Sequence, residues 1–336
     1  MRKSVRDGFR GCMIGAVIGD AMGSPVECKY WNGISEERVR KEFEYNEEGE
    51  RLKRYTDDTA MARELAQALI ESKDGSFPSA RTIATRFYQS YFKEPLRGYG
   101  SGVVSVFKAL KESNAEIPFL PASKQFNGLG SYGNGASMRV HPIALYSYHL
   151  SDKKMLQYVE TVSKLTHFHN EGVNGALIQC MAVRLALRHD LHFLNSLLEL
   201  SKDMVDTDNS SGENDETFAS QIKLIESKLK DSVEDIPIDL GNDISALKSV
   251  PTSIFSFLKT KDSTTPFDDI DSPFQRALMT AISFGGDTDT IASMTGAIAG
   301  AWYGESGIPS FLMDQCEWIE GARTTADALY ELIEKH

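Results

Sequence analysis

Two stretches of this sequence carry glycine at every fourth position. They are Gly11, Gly15, Gly19 and Gly23 near the start, and Gly296, Gly300 and Gly304 near the end. In a helix this spacing gathers the glycines on one face, where the absent side chains let a second backbone approach closely. Neither stretch has the roughly 20 apolar residues needed to cross a bilayer. Rather than glycines scattered by chance, the pattern therefore predicts two central helices that pack tightly.

Helical periodicity recurs along the whole chain, and convincing period-two strands are absent. Helices are predicted over 58–72, 173–188, 272–284, 291–303 and 325–335. The predicted fold class is therefore all-α. Because no internal repeat or long linker divides the chain, residues 1–336 are predicted to form a single domain. Residues 203–216 contain six acidic residues and no basic ones, a composition that predicts a mobile surface loop.

The charge balance and the cysteines exclude several classes of protein. A formal net charge of -12 argues against direct DNA binding, because broad adhesion to nucleic acid needs an excess of Lys and Arg. The four cysteines form no C-x-x-C pair, so neither a zinc site nor a disulfide framework is predicted. Asp20 and Glu27 interrupt the apolar stretch that follows the basic start, so we expect neither secretion nor a membrane span.

Two short acidic motifs carry the clearest chemistry. They are T-D-D-T at residues 56–59 and G-G-D-T-D-T at residues 285–290. Each stands directly before a helical pattern, where Thr can cap the helix and carboxylates favour the positive end of the helix dipole. Helix capping alone explains either motif taken singly. If the two helix starts converge, however, four carboxylates crowd together, and some must protonate unless a cation neutralises them.

Glu27, just after the first glycine-striped helix, can add a fifth carboxylate to this group. All the candidate ligands offer oxygen, which suits Mg²⁺, Mn²⁺ or Ca²⁺ rather than zinc or copper. The seven candidates are Glu27, Thr56, Asp57, Asp58, Asp287, Asp289 and Thr290. One octahedral ion that keeps some of its waters does not use so many ligands, so two neighbouring metal ions are predicted.

Five longer motifs follow one another along the chain. They are G-C-M-I-G-A-V-I-G-D-A-M-G-S-P-V-E, Y-T-D-D-T, G-S-Y-G-N-G-A-S-M-R, L-T-H and G-G-D-T-D-T-I-A-S-M-T-G-A-I-A-G-A. In this order, from about residue 6 to residue 304, the chain resembles the ADP-ribosylglycohydrolase family. It most resembles the branch that cleaves ADP-ribose from serine and degrades poly(ADP-ribose), because of G-S-Y-G-N-G, Phe126 and S-V-P-T-S-I at residues 249–254.

The resemblance implies a compact helical bundle around two Mg²⁺ ions, with Mn²⁺ as a substitute, and it implies that the seven candidates above are the metal ligands. It also implies a set of substrate contacts: Asp57, Gly98, Phe126, Leu129, Gly130, Ser131, Tyr132, Gly133, Asn134, Gly135, His167 and Ile244. Asp243 departs from the glycine that the family pattern has before the isoleucine, which puts the contact of Ile244 in doubt.

Each of these predicted substrate contacts has a chemical explanation and also a purely structural alternative. The amides of a glycine-rich turn at residues 130–135 can bind phosphate without any basic side chain, although such a segment can also be an ordinary loop. Phe126 and Tyr132 can stack on adenine, although an isolated aromatic is usually part of a core. A lone histidine such as His167 is more often structural than functional, and only the resemblance favours a substrate contact.

The implied reaction is hydrolysis at the anomeric carbon of the distal ribose, which releases ADP-ribose from serine-modified proteins and from poly(ADP-ribose). Glu27 is expected to transfer the proton, because a carboxylate beside the metal cluster can act as acid or base. Asp57 is the second catalytic candidate. An ADP-ribosylarginine hydrolase on the same scaffold and a catalytically silent, crystallin-like binding relative stay open. The resemblance also implies a monomer in the nucleus, the cytoplasm or the mitochondrial matrix.

Overall fold

The computed structural model describes residues 4–44, 51–72, 76–202, 204, 216–230, 233, 236–260 and 265–335. The helices in these residues are α1 Val5–Gly23, α2 Glu36–Glu42, α3 Asp57–Ile70, α4 Ala80–Lys93, α5 Ser101–Glu112, α6 Leu120–Ser123, α7 His141–Tyr146, α8 Asp152–Ser163, α9 Asn170–Leu187, α10 Phe193–Lys202, α11 Phe218–Lys228, α12 Ile236–Asp239, α13 Ala246–Lys259, α14 Pro273–Ser283, α15 Thr288–Tyr303, α16 Ser310–Asp314 and α17 Ile319–Glu334.

Short 3₁₀ helices cover Ser24–Val26, Gln125–Gly128, Asn134–Arg139 and Glu305–Gly307. Within the described ranges the extended pairings are two isolated bridges, Lys53 with Cys316 and Gly133 with Ser245, and there is no strand. The predicted all-α fold class is confirmed. None of the described helices is long and apolar enough to span a membrane. Of the predicted acidic loop, residues 203 and 205–215 lie outside the described residues.

The helices α1 and α15 pack along each other with their glycines at the contact. A Cβ atom added at Gly15 would lie 2.2 Å from the Gly296 carbonyl oxygen, and one added at Gly300 would lie 1.9 Å from that of Gly11. No side chain fits at such distances, so the predicted tight packing of two glycine-striped helices is confirmed. Gly304 also lies at this contact, since a Cβ atom added at Gly11 would be 2.5 Å from its carbonyl carbon, and it ends α15 with a φ of 70°.

The central position of α15 follows from its neighbours. It packs against α1, α9, α13 and α14, and its residues 288–301 are all buried. The sequence pattern placed its start at residue 291, whereas the helix begins at Thr288; α17 likewise begins at Ile319 rather than at residue 325. The residues added at the start of α15 are polar and lie outside the apolar repeat on which the prediction rested, whereas those added to α17 include buried Ile319 and Ala322.

Candidate active site

The end of α1 meets the start of α15, which brings Glu27 beside the second acidic motif. The Thr288 hydroxyl donates to the carbonyl oxygen of Gly23 over 2.9 Å and ties the two helix ends together. Single carboxylate oxygens of Glu27, Asp287 and Asp289 consequently all lie within 4.8 Å of one another. Three carboxylates at this separation can hold a metal ion.

The first acidic motif begins α3 and is held in place by Asp20, a buried residue of α1. The Asp20 carboxylate accepts hydrogen bonds from the Thr56 amide at 2.9 Å, from the Thr59 amide at 3.1 Å and from the Thr59 hydroxyl at 2.6 Å. Asp58 then joins the two motifs, because its Oδ2 accepts from the hydroxyl of Thr56 at 3.3 Å and from that of Thr290 at 3.4 Å. The two helix starts therefore do converge.

Burial raises the pKa values of the clustered carboxyl groups. Burial, followed by the nearby charge of Asp20, raises the pKa of Asp57 to about 8. Burial also raises the pKa values of Asp58 and Asp289 well above the usual range of an aspartate. Asp57 is therefore protonated at neutral pH unless a positive charge stabilises its ionised form.

One buried oxygen in the cluster offers a position for a cation. Asp58 Oδ1 is buried and has no hydrogen-bond partner among the described residues, which is costly for an acceptor removed from water. The neighbouring atoms that can coordinate a metal ion are carboxylate and hydroxyl oxygens, the ligands that hard divalent cations prefer. The residues present therefore fit a hard divalent cation.

The glycine turn, residues 130–135, is fixed to the acidic cluster through Asn134. The Asn134 side chain donates to Asp287 Oδ2 at 2.6 Å and to the Ser249 hydroxyl at 3.0 Å. The Asn134 amide donates to the carbonyl oxygen of Ile244 at 2.9 Å. Ser249 belongs to the S-V-P-T-S-I motif, so this motif helps to hold the Asn134 side chain in position.

Asp243 does not disturb this arrangement. Its φ is not positive, so the backbone there does not require glycine. Its Oδ1 accepts from the Ser245 amide at 2.7 Å, which stabilises the turn that presents Ile244. The departure from the family pattern at this position is therefore compatible with the turn.

These parts surround a cavity of about 300 Å³. The candidate residues that line it are Glu27, Asp57, Asp58, Gly98, Phe126, Ser131, Gly133, Asn134, Gly135, His167, Ile244, Asp287, Asp289 and Thr290. Thr56, Leu129, Gly130 and Tyr132 do not line it. Thr56 lies behind Asp58, as described above, and Gly130 is packed against the backbone, since a Cβ atom there would lie 2.5 Å from the His169 amide nitrogen.

Phe126, which lines the cavity, forms a partly exposed aromatic pair with Tyr132, which does not. Their ring centroids are 6.2 Å apart at an interplanar angle of 41°, and 55% and 44% of their surfaces are exposed. Phe126 has a φ of 50°, a strained backbone conformation for an aromatic residue that often marks a functional position. Leu129 is 58% exposed next to this pair. Adenine can be held by such a surface.

Sequence reasoning missed three buried polar residues that shape the site. Asp20 holds the start of α3, as described above. Arg139 is fully buried and lines the cavity. Asn242 donates to the carbonyl oxygens of Trp31 and Phe284 at 2.9 and 2.8 Å. Asp20 and Arg139 each stand in one of the quoted motifs as a charged residue next to small or apolar ones, and that contrast was the available signal.

The fold and the site define a class of protein, helical proteins in which an oxygen-rich acidic cluster and a glycine turn share one cavity. The sequence model of the ADP-ribosylglycohydrolase family matches residues 1–336. The chain belongs to this family, as the resemblance predicted, and it is a glycosyl hydrolase.

Named relatives match over nearly the whole chain. The chain is 39% identical to ADP-ribosylhydrolase ARH3 of Homo sapiens over 350 residues, which covers 97% of this chain and 94% of that protein. It is 38% identical to ADP-ribosylhydrolase ARH3 of Gallus gallus, over 96% and 93% of the two chains. A solved structure described as an ADP-ribosylglycohydrolase-related protein complex has a similar fold, with a TM-score of 0.67, 21% identity and 98% of each chain covered.

Proposed function

We propose that this protein is a Mg²⁺-dependent hydrolase that releases ADP-ribose from ADP-ribosylserine and from poly(ADP-ribose). The observation that carries the proposal is the direct link between acidic cluster and glycine turn, in which Asn134 donates to Asp287 at 2.6 Å. A ligand in this cavity can have a sugar at the acidic cluster and a diphosphate at the turn. The similarity to proteins named ADP-ribosylhydrolase ARH3 supports this choice of ligand.

In the proposed reaction, the oxygen of a water molecule bonds to the anomeric carbon of the distal ribose as the glycosidic bond to the acceptor oxygen breaks. One proton of the water is lost, and the leaving serine or ribose oxygen gains one. Positive charge develops on the sugar during this exchange, so fixed carboxylates beside it stabilise the transition state. The ligand cradle contributes by holding the sugar in one orientation.

Glu27 is the proposed proton-transfer group. It is the one partly exposed member of the three-carboxylate cluster described above, whereas Asp287 and Asp289 are buried, although all three line the cavity. Burial, followed by the neighbouring charge of Asp287, raises its pKa. A carboxyl group at the cavity can give a proton to the leaving oxygen and take one from water.

Asp57 is the proposed orienting group for the ribose. It lines the cavity next to Gly98, where an added Cβ atom would lie 3.5 Å from Asp57 Oδ1. Glycine therefore leaves the approach to this carboxylate open. A φ of 91° also favours glycine at position 98.

Two Mg²⁺ ions, with Mn²⁺ as a substitute, are part of the proposal. Their proposed ligands are Glu27, Thr56, Asp57, Asp58, Asp287, Asp289 and Thr290. Support comes from the close carboxylates of Glu27, Asp287 and Asp289 and from the contacts of Asp58 with Thr56 and Thr290. Bound cations would neutralise the carboxylates, hold ribose hydroxyls and make an attacking water more acidic. The ADP part would lie along the glycine turn, with adenine on Phe126 and Tyr132 and in contact with Ile244.

The decisive experiment measures release of ADP-ribose from two matched peptides, one modified on serine and one on arginine. The assay compares chelator with magnesium, manganese and calcium, and includes poly(ADP-ribose) as a third substrate. We expect release from the serine peptide and from the polymer, with magnesium the best metal. Asp289→Asn should abolish most of this activity, whereas Asp314→Asn, which changes an exposed carboxylate on α16, should not.

Two outcomes would overturn the proposal in different ways. Faster release from the arginine peptide would retain the scaffold and the metal but assign the other acceptor. Binding of ADP-ribose without release from any of the three substrates would instead identify a catalytically silent relative.

A further inference from the structure

The two ring nitrogens of His167 face different parts of the site. Nδ1 lies 2.7 Å from the hydroxyl oxygen of Thr166. The other edge of the ring faces the glycine turn, since a Cβ atom added at Gly135 would lie 3.1 Å from Nε2 and one added at Gly133 would lie 3.6 Å from it. His167 also lines the cavity. The position of the ring proton therefore decides whether a ligand at the turn meets a donor or an acceptor.

Arg139 determines what the Thr166 hydroxyl can do. Its Nη2 donates to Thr166 Oγ1 at 2.6 Å, and its Nη1 donates to the Gly135 carbonyl oxygen at 2.6 Å. A guanidinium group has no acceptor, so the Thr166 oxygen is the acceptor in this contact and its single hydrogen must point elsewhere. In the described part of the chain, the atom that can accept this hydrogen is His167 Nδ1.

The opposite proton arrangement is disfavoured by burial. If Nδ1 carried the proton and donated it to Thr166, the hydroxyl hydrogen of Thr166 would have no acceptor among the described residues. Thr166 and Arg139 are both fully buried, so water cannot replace the missing partner, and an unsatisfied buried hydroxyl is costly. Burial, followed by the positive charge of Arg139, also lowers the pKa of His167 to about 3, so the ring is neutral at pH 7.

We infer that Arg139 and Thr166 are positioning residues that hold neutral His167 as its Nε2–H tautomer, a fixed hydrogen-bond donor to a ligand at the glycine turn. Arg139 contacts both the turn, through Gly135, and the histidine, through Thr166, so one buried cation aligns the two sides of the cradle. The group on the ligand that accepts this hydrogen bond is an oxygen of the ADP-ribosyl group. The identity of the ligand rests on the proposed function, whereas the assignment of the tautomer does not.

The tautomer can be tested in the protein without substrate or metal. The chain has seven histidines, and nitrogen NMR of protein labelled at the histidine rings, with His167→Gln to assign the signal, distinguishes a protonated Nε2 from a protonated Nδ1. We expect His167 to carry its proton on Nε2. A proton on Nδ1 overturns the inference, whatever the enzyme assay shows.

Thr166→Val and Thr166→Ser form the matched pair that tests the positioning role. Valine has nearly the same shape but no hydroxyl, so the proton should redistribute to Nδ1 or exchange between both nitrogens, whereas serine should keep the Nε2–H signal. An unchanged signal in Thr166→Val would show that Thr166 does not set the tautomer. If Thr166→Val does not fold, the signals of the unmodified protein and of Thr166→Ser still test the tautomer of His167, because the inference requires a proton on Nε2 in both proteins.

A kinetic readout connects the tautomer to the proposed function. With serine-modified peptide, Thr166→Val should lower kcat/KM by about tenfold, the typical worth of one hydrogen bond, and Thr166→Ser should retain it. Thr166→Val should add little to the loss in His167→Gln, since both changes remove the same donor. Full additivity would contradict the inference, whereas absence of activity in the unmodified protein would contradict only the proposed function.

Discussion

Asp57, Asp58 and Asp289 are carboxylic acids that burial has made difficult to ionise. They nevertheless line the same cavity, where a bound cation would favour their charged forms. Metal binding at such residues releases protons and depends on each negative charge. Their substitution is therefore the most direct test of the site at the scale of single residues.

Asp57→Asn should lower kcat by at least about 100-fold, a loss typical of removing one electrostatic group from an active site. The variant keeps the shape of the side chain and removes its charge, so magnesium affinity should fall while the metal-free protein becomes more stable through relief of repulsion. Calorimetric magnesium titration, turnover and thermal melting measure these effects. Asp314→Asn is the control, and an unchanged titration in Asp57→Asn would refute the metal assignment.

Phe126→Ala should weaken binding of ADP-ribose by about 1–3 kcal/mol, the usual worth of one base stacked on an aromatic ring. Phe126→Tyr should retain most of the affinity, because it keeps the ring. Titration calorimetry with ADP-ribose measures both values, with Leu191→Ala as the control, since Leu191 is another highly exposed apolar residue. Equal affinity in Phe126→Ala and the unmodified protein would show that adenine does not stack there.

At the scale of secondary-structure elements, α1 and α15 determine where the acidic motifs meet. Both helices must approach backbone to backbone, because the carbonyl oxygens of one lie where side chains of the other would be. The register set by these contacts places Gly23, at the end of α1, against Thr288, at the start of α15. The same packing that forms the core therefore also brings Glu27 to the second motif.

Gly15→Ala should destabilise the fold by about 1–3 kcal/mol or more, because the added methyl group overpacks the helix contact. The new Cβ atom would lie 2.2 Å from the carbonyl oxygen of Gly296. Gly8→Ala is the matched control on the same helix, where the nearest atom would be 3.1 Å away. Both changes gain the same helix propensity, so the difference between their free energies of unfolding, measured by chemical denaturation, reports the effect of packing. Equal stabilities would contradict the argument.

At the scale of the whole molecule, the raised pKa values predict how stability depends on pH. The pKa of Asp57 is raised from 3.8 to about 8 in the folded chain, so unfolding releases a proton between these values. The free energy of unfolding of the metal-free protein should therefore fall as pH rises from about 4 to about 8. Saturating magnesium should remove this loss, because the carboxylates are then ionised in both states.

Thermal melting in chelator and in saturating magnesium, over that pH range, measures the effect. The difference in melting temperature between the two conditions should widen as pH rises, and it should be smaller in Asp57→Asn. A difference that stays constant with pH would show that the clustered carboxylates are already ionised without metal.

The sequence by itself determined the all-α fold class, the two glycine-striped helices and a helix start at residue 58, one residue after the observed start at Asp57, because apolar periodicity, glycine spacing and helix capping act over a few residues. It also predicted oxygen ligands for a hard cation. Only the tertiary structure decided that Asp58 meets Thr290, that Asp20 holds the first motif and that Arg139 stands behind Thr166. It also decided that Tyr132 lies outside the cavity lining. Each of these outcomes depends on contacts between residues far apart in the chain, which no local pattern specifies.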